Sequence, residues 1–450
     1  LNGTRAITVI DDNKYSVVAS SSASDSVEKG GVLVKIKHTE FTTEWDEQAF
    51  SERRGWPSSI CYHEDRLWLG GSTELPNSMF GSVIGSYYDF DVAEGEDDSS
   101  VQFNIASQRF SHIRHLVSAR GLLTFTEGVE FATEQREGEA ITPANAQMRA
   151  QTSYGSSYIE PIFFDGAVIY VQGNLKTIRE YIFDYTSDSF VSNDLTAVAS
   201  HLINAPEDFD VMYGSTTRPE QYAVFVNGDG TLACFHSIRQ EQLSAWTPWE
   251  TFSGHSFKSV CSLGPKMFFV AYRDGAYYLE KFELDVDNVW LDSAKIMSAA
   301  ATDTWSLGSD YADETVSVMS NGHYLGDYTA NGSGVITLDD TVTDIVFGYD
   351  YEVKIIPMPP DKELFDGSMT GVRRRVNSVN LHFHETVSAN LNGTPIVQNN
   401  DGLDITTAPV GFTGKIKEFL FDYEVDPVYT ITQASPGPMT LMGSIMEVSL

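Results

Sequence analysis

A chain of 450 residues with 42% hydrophobic and 12% aromatic content carries enough apolar surface to offset the entropy of ordering, which excludes a disordered chain, and it is too long for one ordinary core. Lys and Arg number 29 against 63 Asp and Glu, a formal net charge of −34. That sign excludes a generic nucleic-acid binder, which needs cations to displace the counterions condensed on phosphate.

Two readings of the acidity remain: one that keeps an abundant protein soluble, and one that lines a surface past which a polyanion slides without sticking. The opening LNGTRAITVI reads as the middle of a strand, so further chain is expected upstream. Period-2 apolar runs then recur: VLVKI at 32–36, LLTF at 122–125, AVIYV at 167–171, YAVFV at 222–226 and MFFVA at 267–271. Between them lie turn signals at Glu127-Gly128, Asp165-Gly166, Asn227-Gly228-Asp229-Gly230 and Arg273-Asp274-Gly275, so hairpins are predicted throughout. The one helical pattern is NDLTAVASHLI at 193–203, with Asn193 or Asp194 as cap and Leu195, Val198 and Leu202 on one face.

Hairpin-sized groups between 56 and 283 suit a propeller or a sandwich. A different texture begins near Asp285, with an Ala- and Ser-rich stretch at 293–302 and short strands TVSVM at 315–319, VITL at 335–338 and DIVFG at 344–348, closed by Pro357, Pro359 and Pro360. The expected fold is all-β, a β-propeller-like main domain with an additional small β-sandwich or barrel domain. Its divisions are an N-terminal β segment at 1–56, the propeller-like domain at 57–284, a small inserted β-domain at 285–360, and a C-terminal β segment at 361–450 that completes the main body.

Signals for chemistry are weak. Cys61, Cys234 and Cys261 include no C-x-x-C pair, which points to assembly in a reducing cytosol. His112/His115 and His382/His384 are close pairs, and the second pair shares a strand face, but neither comes with a third ligand. GFTGK at 411–415 lacks the spacing of a phosphate loop and reads as a hairpin turn. EGEDD at 94–98 and Asp339-Asp340 invite a glycosidase or calcium reading. With 63 acids chance pairs are many, the spacing is not that of an EF-hand, and EGEDDSS reads first as a solvated loop. Arg373, Arg374 and Arg375 form the one dense basic run. On a strand Arg373 and Arg375 share a face, so the run serves either as a subunit interface or as charge protecting an edge strand.

The segment WPSSICYHEDRLWLGGSTELPNSMFGSVIGSYYDF at 56–90 resembles the opening of the tail nozzle proteins of short-tailed bacteriophages, the tail tubular protein B family, at Pro57, Arg66, Leu67, Pro76, Ser82, Tyr87 and Phe90. The likeness continues in order through 112–131, Pro143, Tyr154 and Gly155, through 168–185, Asp194 and His201, at Trp246, and at 436–440 beginning with Pro436. The stretch 290–360 is only loosely similar. The resemblance implies a propeller with a smaller β-domain lower in a tube. It implies a homohexamer beneath an adaptor ring, with tail fibres or spikes on its flank. It also implies a place in the virion tail and no catalysis. With the acidic composition, genomic DNA is expected to pass through the channel without tight binding, and the motif spacings give no cofactor or metal site. The loop at 328–334 is the gate candidate, because glycine permits rearrangement. The competing reading is a receptor- or carbohydrate-binding propeller or tailspike, with Trp246 and Trp249 stacking on sugars unless they belong to the core.

Overall fold

The computed structural model describes residues 7–11, 14–17, 49–91, 96–106, 111–133, 140–216, 219–283, 289–361, 363–364, 367–368, 371–399, 405–420 and 423–449. The expected strand at 32–36 and most of the 1–56 segment lie outside the described residues. The chain divides into two compact units, 1–156 and 157–450. It is all-β: among the described residues the helical turns are three 3₁₀ segments of three residues each. No helix among them is long and apolar enough to cross a membrane.

The first unit holds two four-stranded antiparallel meanders. One runs Ser59–His63, Arg66–Gly70, Ser78–Gly81 and Val101–Asn104; the other runs Ile113–Ser118, Leu122–Thr126, Glu130–Thr133 and Met148–Thr152. Trp68, Met79, Ile113, Leu122 and Phe131 from both sheets form one core.

The second unit continues the pattern with Ile162–Phe164, Ala167–Val171, Ile178–Asp184 and Ser189–Asp194. A further meander runs Pro206–Met212, Tyr222–Asn227, Leu232–Ile238 and Leu243–Trp249, and a three-stranded one runs Ser256–Leu263, Lys266–Arg273 and Ala276–Glu283. The middle meander shows why apolar runs such as AVIYV and YAVFV lack polar alternation. Ala223, Phe225, Ala233 and Phe235 face the preceding sheet and pack with Ile169, Val171 and Ile178. Val224, Val226 and Cys234 face the following sheet and pack with Val260, Met267 and Phe269. A strand buried on both faces reads as a continuous hydrophobic run, and sheets stacked face to face in chain order have the blade packing of a propeller.

Two-residue turns set the registers. Asp165-Gly166, Asp274-Gly275 and Asn321-Gly322 all have both φ angles positive, 46° and 78°, 48° and 87°, 49° and 81°. This is the type I′ geometry that suits the right-handed twist of the flanking strands and favours Asp or Asn followed by Gly.

Beyond the blades, Asp292–Ser306, Thr315–Ser320, His323–Thr329 and Val335–Tyr349 form a sheet in the spatial order first, fourth, second, third, with Trp305, Val318, Ile345 and Phe347 in its core. Here the sequence reading needs correction. The Ala- and Ser-rich stretch is part of one 15-residue strand, and VITL and DIVFG are parts of another. The interruption between them is a bulge that leaves 338–341 out of register, not a chain reversal. The expected helix at 193–203 is also absent. Ser189–Asp194 ends as a strand, Asp194 accepts from Thr196 N (2.7 Å) and Thr196 Oγ1 (2.8 Å) in a side-chain turn, and a 3₁₀ turn follows at Ser200–Leu202. Leu195 and Leu202 pack on the core, whereas Val198 is 92% exposed. The periodicity was correct for two of the three, and burial of the sheet end left room for only one turn.

The C-terminal part adds a sheet of Phe412–Phe419, Arg374–Thr386 and Thr440–Ser449, which packs on a second sheet built around Ser388–Leu391 and Thr394–Gln398. GFTGK is therefore not a turn but the entry into Phe412–Phe419.

Because Phe225 is fully buried and stacks on Phe209 (ring centroids 4.6 Å apart), Phe225→Ala is expected to cost about 3–5 kcal/mol. The denaturation midpoint of purified protein checks it, and a loss under about 1 kcal/mol would contradict the stacked-sheet core.

Candidate functional site

Few cations serve a chain this acidic, and the structure spends several of them inside. Arg66 closes the hairpin that starts the second strand, and its side chain is fully buried. Its Nη1 donates to the carbonyls of Ser82 (2.6 Å) and Ser99 (2.6 Å), and its Nη2 to Asp97 O (2.9 Å). Burial lowers the guanidinium pKa, and the Asp98 and Glu64 charges pull it back only in part. The planar fork thus holds a loop by its backbone, a task that Lys, a point charge with no fork, cannot perform. Ser82 Oγ accepts from Leu67 N (2.9 Å), so Arg66, Leu67 and Ser82 belong to one anchor. The solvated-loop reading of EGEDDSS holds for Glu96, Asp97 and Asp98, which are exposed, and not for Ser99 and Ser100, which are buried, while 92–95 lie outside the described residues.

The other residues singled out from sequence are placed as follows. Pro57 precedes the first blade strand, and Pro76 O accepts from Ile113 N (2.8 Å). Tyr87 meets Tyr62 edge-on at 5.2 Å, and Phe90 is half-buried. Pro143 is exposed in a turn closed by Asn145 Oδ1, which accepts from Thr142 N (2.7 Å). Tyr154 N donates to Glu130 Oε2 (3.2 Å). Gly155 has φ +77°, and a Cβ there would stand 2.1 Å from Glu127 O, so any side chain would displace backbone. His201 is exposed, and Pro436 is buried in a segment whose Ala434 and Ser435 amides donate to Ser388 Oγ (3.1 and 3.2 Å). These are fold positions spread along both units, and they do not converge on a reaction centre.

The arginine run is corrected too. Arg373 is exposed and precedes the strand. Arg374 is buried, with Nη2 3.3 Å from Asp426 Oδ1, and Arg375 is half-buried. Arg374–Thr386 is the central strand of its sheet, hydrogen-bonded on both sides, so edge protection does not apply and Arg374 is spent inside the chain.

The residue that sequence reading missed is Arg273, in the second unit. Only 4% exposed, it donates from Nε and Nη2 to both oxygens of Glu280 (2.6 and 2.7 Å), from Nη2 to Asp292 Oδ1 (3.0 Å) and from Nη1 to Thr251 Oγ1 (2.7 Å). Its Nη1 also lies 3.0 Å from His255 Nδ1. Burial alone would depress this guanidinium, but the hydrogen bonds and charges of Glu280 and Asp292 outweigh it and hold the pKa above its ordinary value. Asp292 in turn accepts from Thr251 Oγ1 (2.6 Å) and Phe252 N (3.1 Å), and Phe252 stacks on Tyr349 at 4.2 Å. One buried cation therefore ties the three-stranded sheet to the first residue of one 15-residue strand and, through Phe252, to the last residue of the other. The only sequence trace of it is an Arg ahead of an Asp-Gly turn.

Beyond Asp292, the 292–349 sheet carries acids outward around its bulge. Asp303, Asp339, Asp340 and Asp344 are exposed around the bulge. The loop at 330–334 is a short turn tied by Asn331, whose Oδ1 accepts from Ser333 N (2.9 Å) and Val335 N (3.1 Å). Trp246 Nε1 donates to Leu195 O (2.8 Å) while its ring packs on Phe235, and Trp249 packs on Phe282. Both are partly buried and pack against core clusters. Among the described residues no group of three His, Cys, Asp or Glu side chains is placed to hold a metal, and His382 and His384 stand on the outer face of their strand without a third partner.

A family model described as bacteriophage nozzle protein matches residues 77–349, more than half of the chain. No curated protein matches it. Among solved structures, a protein from Lactobacillus plantarum is similar with a TM-score of 0.30 and 9% identity over 65% of this chain and 87% of that one. The extracellular domain of a one-component system from B. thetaiotaomicron gives 0.24 and 10% over 81% of this chain and 46% of that one. This chain thus spans less than half of that domain, and neither structural likeness carries a function to it.

Two outcomes follow. Arg273→Ala leaves two carboxylates facing each other without their cation and is expected to cost about 3–5 kcal/mol in a urea titration; a loss below about 1 kcal/mol would mean the cluster does not hold the junction. For the thiols, Cys234 is buried and burial pushes Cys61 up to about 11, while Cys261 is exposed. Ellman's reagent at pH 8 should therefore give one fast equivalent per chain, abolished by Cys261→Ser.

Proposed function

The chain belongs to the bacteriophage nozzle protein family and is a component of the virion tail, and from that premise we propose that it is a structural subunit of a ring of six copies around the tail axis. In this reading the ring retains packaged DNA, conducts it at ejection, joins an adaptor ring above and docks fibres or spikes on its flank, without catalysis. The blades of 57–284, with 361–450, form the body of the subunit, 285–360 is the smaller domain nearer the outlet, and 1–56 leads toward the adaptor.

The observation that carries the conducting reading is electrostatic. A net charge of −34 per chain rules out counterion-release binding to a duplex that bears one charge per roughly 1.7 Å of its axis, and the exposed acids around 339–344 give that charge a surface. Polar contact without adhesion is what passage in either direction requires. The two tryptophans on which a sugar-binding reading leaned, Trp246 and Trp249, pack against Phe235 and Phe282.

Tails assembled with Asp339→Lys/Asp340→Lys should release DNA more slowly at about 50 mM salt, with the defect relieved toward about 200 mM as screening weakens phosphate contacts. Fluorescent monitoring of ejection measures it. Release at the wild-type rate at low salt would remove these acids from the DNA path, and a three-fold or off-axis position of this polypeptide in an image of the tail would overturn the ring.

A further inference from the structure

The sheet of Phe412–Phe419, Arg374–Thr386 and Thr440–Ser449 buries one face, where Val376, Val379, Leu381 and Phe383 meet Ala389, Leu391 and Ile431. Its edges are a different matter. Among the described residues, each of the two outer strands pairs with the central strand or not at all.

The two edges differ in chemistry. Phe412–Phe419 carries Lys415, Lys417 and Glu418 within eight residues. Thr440–Ser449 carries Glu447 alone in ten residues, with no Lys and no Pro. It also projects Met442 and Ile445 into solvent, 62% and 64% exposed. Its pairing with the central strand is regular from Gly443 to Glu447, between register shifts at Met442 and at Asn377 of the central strand. The open edge over 443–447 offers unpaired amides and carbonyls to an incoming strand.

We propose that Thr440–Ser449 receives the Phe412–Phe419 strand of a second copy of this chain, so that the sheet continues from subunit to subunit; this rests on the ring reading above and names one of its contacts. Direction supports it: both outer strands run antiparallel to the central one, hence parallel to each other, so a copy rotated about an axis along the strands presents Phe412–Phe419 to Thr440–Ser449 in a fixed sense. Charge supports it as well. The incoming Lys415 and Lys417 meet an edge whose single charge is Glu447, the group that Lys417 of the same chain already approaches at 3.5 Å across the central strand. The contact joins two different surfaces, so it propagates head to tail, the kind of contact a cyclic ring is built from.

The test uses the full chain. Met442→Lys/Ile445→Lys changes two exposed side chains, so the subunit should keep its thermal melt. Native mass spectrometry should show the assembly lost, at least tenfold in the concentration needed. A second measurement addresses the partner strand. In a Cys261→Ser background, oxidation of Lys417→Cys/Ile445→Cys should give a ladder of covalent multimers. Within one chain these positions both align with Asn380, two strand spacings or roughly 10 Å apart, beyond disulfide reach. Ile445→Cys alone should give none. Covalent dimers from Ile445→Cys alone would mean that the edge pairs with itself about a two-fold, and would overturn the proposal. Full assembly of Met442→Lys/Ile445→Lys would overturn it while leaving the ring standing. A wild-type chain that stays monomeric would overturn both.

Discussion

The central strands of the blade sheets are apolar on both faces, and this constraint shapes the second unit. A sheet such as Tyr222–Asn227 with Leu232–Ile238 cannot be solvated on either side, so each sheet needs a neighbour before it and a neighbour after it. Stacking in chain order satisfies that need with the shortest connections. It also gives some of the carboxylates structural work: Asp208 accepts from Ser259 Oγ (2.6 Å) and Val260 N (3.0 Å), and Asp210 from Ser262 N (2.6 Å), each reaching from one sheet to the next. Part of the chain's acidity therefore fastens sheets together, and only the remainder is free to face a polyanion.

The cations are used in the opposite way. Arg66, Arg273 and Arg374 are buried singly, each where two segments distant in sequence meet. A guanidinium stays charged under such desolvation and offers a flat array of donors, so it can collect carbonyls in one place and carboxylates in another. Arg239 does the same between adjacent sheets, with Nη2 on Glu180 Oε2 at 2.6 Å and Nε on Asp165 O at 2.6 Å. With 29 basic residues in 450, this placement takes cations away from the surface and reinforces its negative sign.

Much of this was legible in the sequence, for physical reasons. Turns needing two positive φ angles demand Asp-Gly or Asn-Gly, so their hairpins could be read directly. Strands buried on both faces announced themselves as unbroken apolar runs. The failures are equally physical. A bulge such as 338–341 looks like a turn because both break the alternation, and only partner strands tell them apart. A helical period over 193–203 was overridden by the sheet end that precedes it. The arginine run looked like a surface because charge is usually outside, yet its middle member pairs inward with Asp426. The Arg273 cluster joins residues that the chain separates by up to 41 positions, and no local pattern marks such a meeting.

The length of Asp292–Ser306 gives the Arg273 cluster a mechanical meaning. Asp292, held at one end, and Asp303, exposed further along, are separated by up to roughly 35 Å of extended chain. Any load applied around Asp303 acts on its anchorage through that arm, and a small rotation there becomes a swing of many ångströms at the far end. The ion cluster is in effect the bearing of a lever, and its tightness sets how much the outer part of the strand can move.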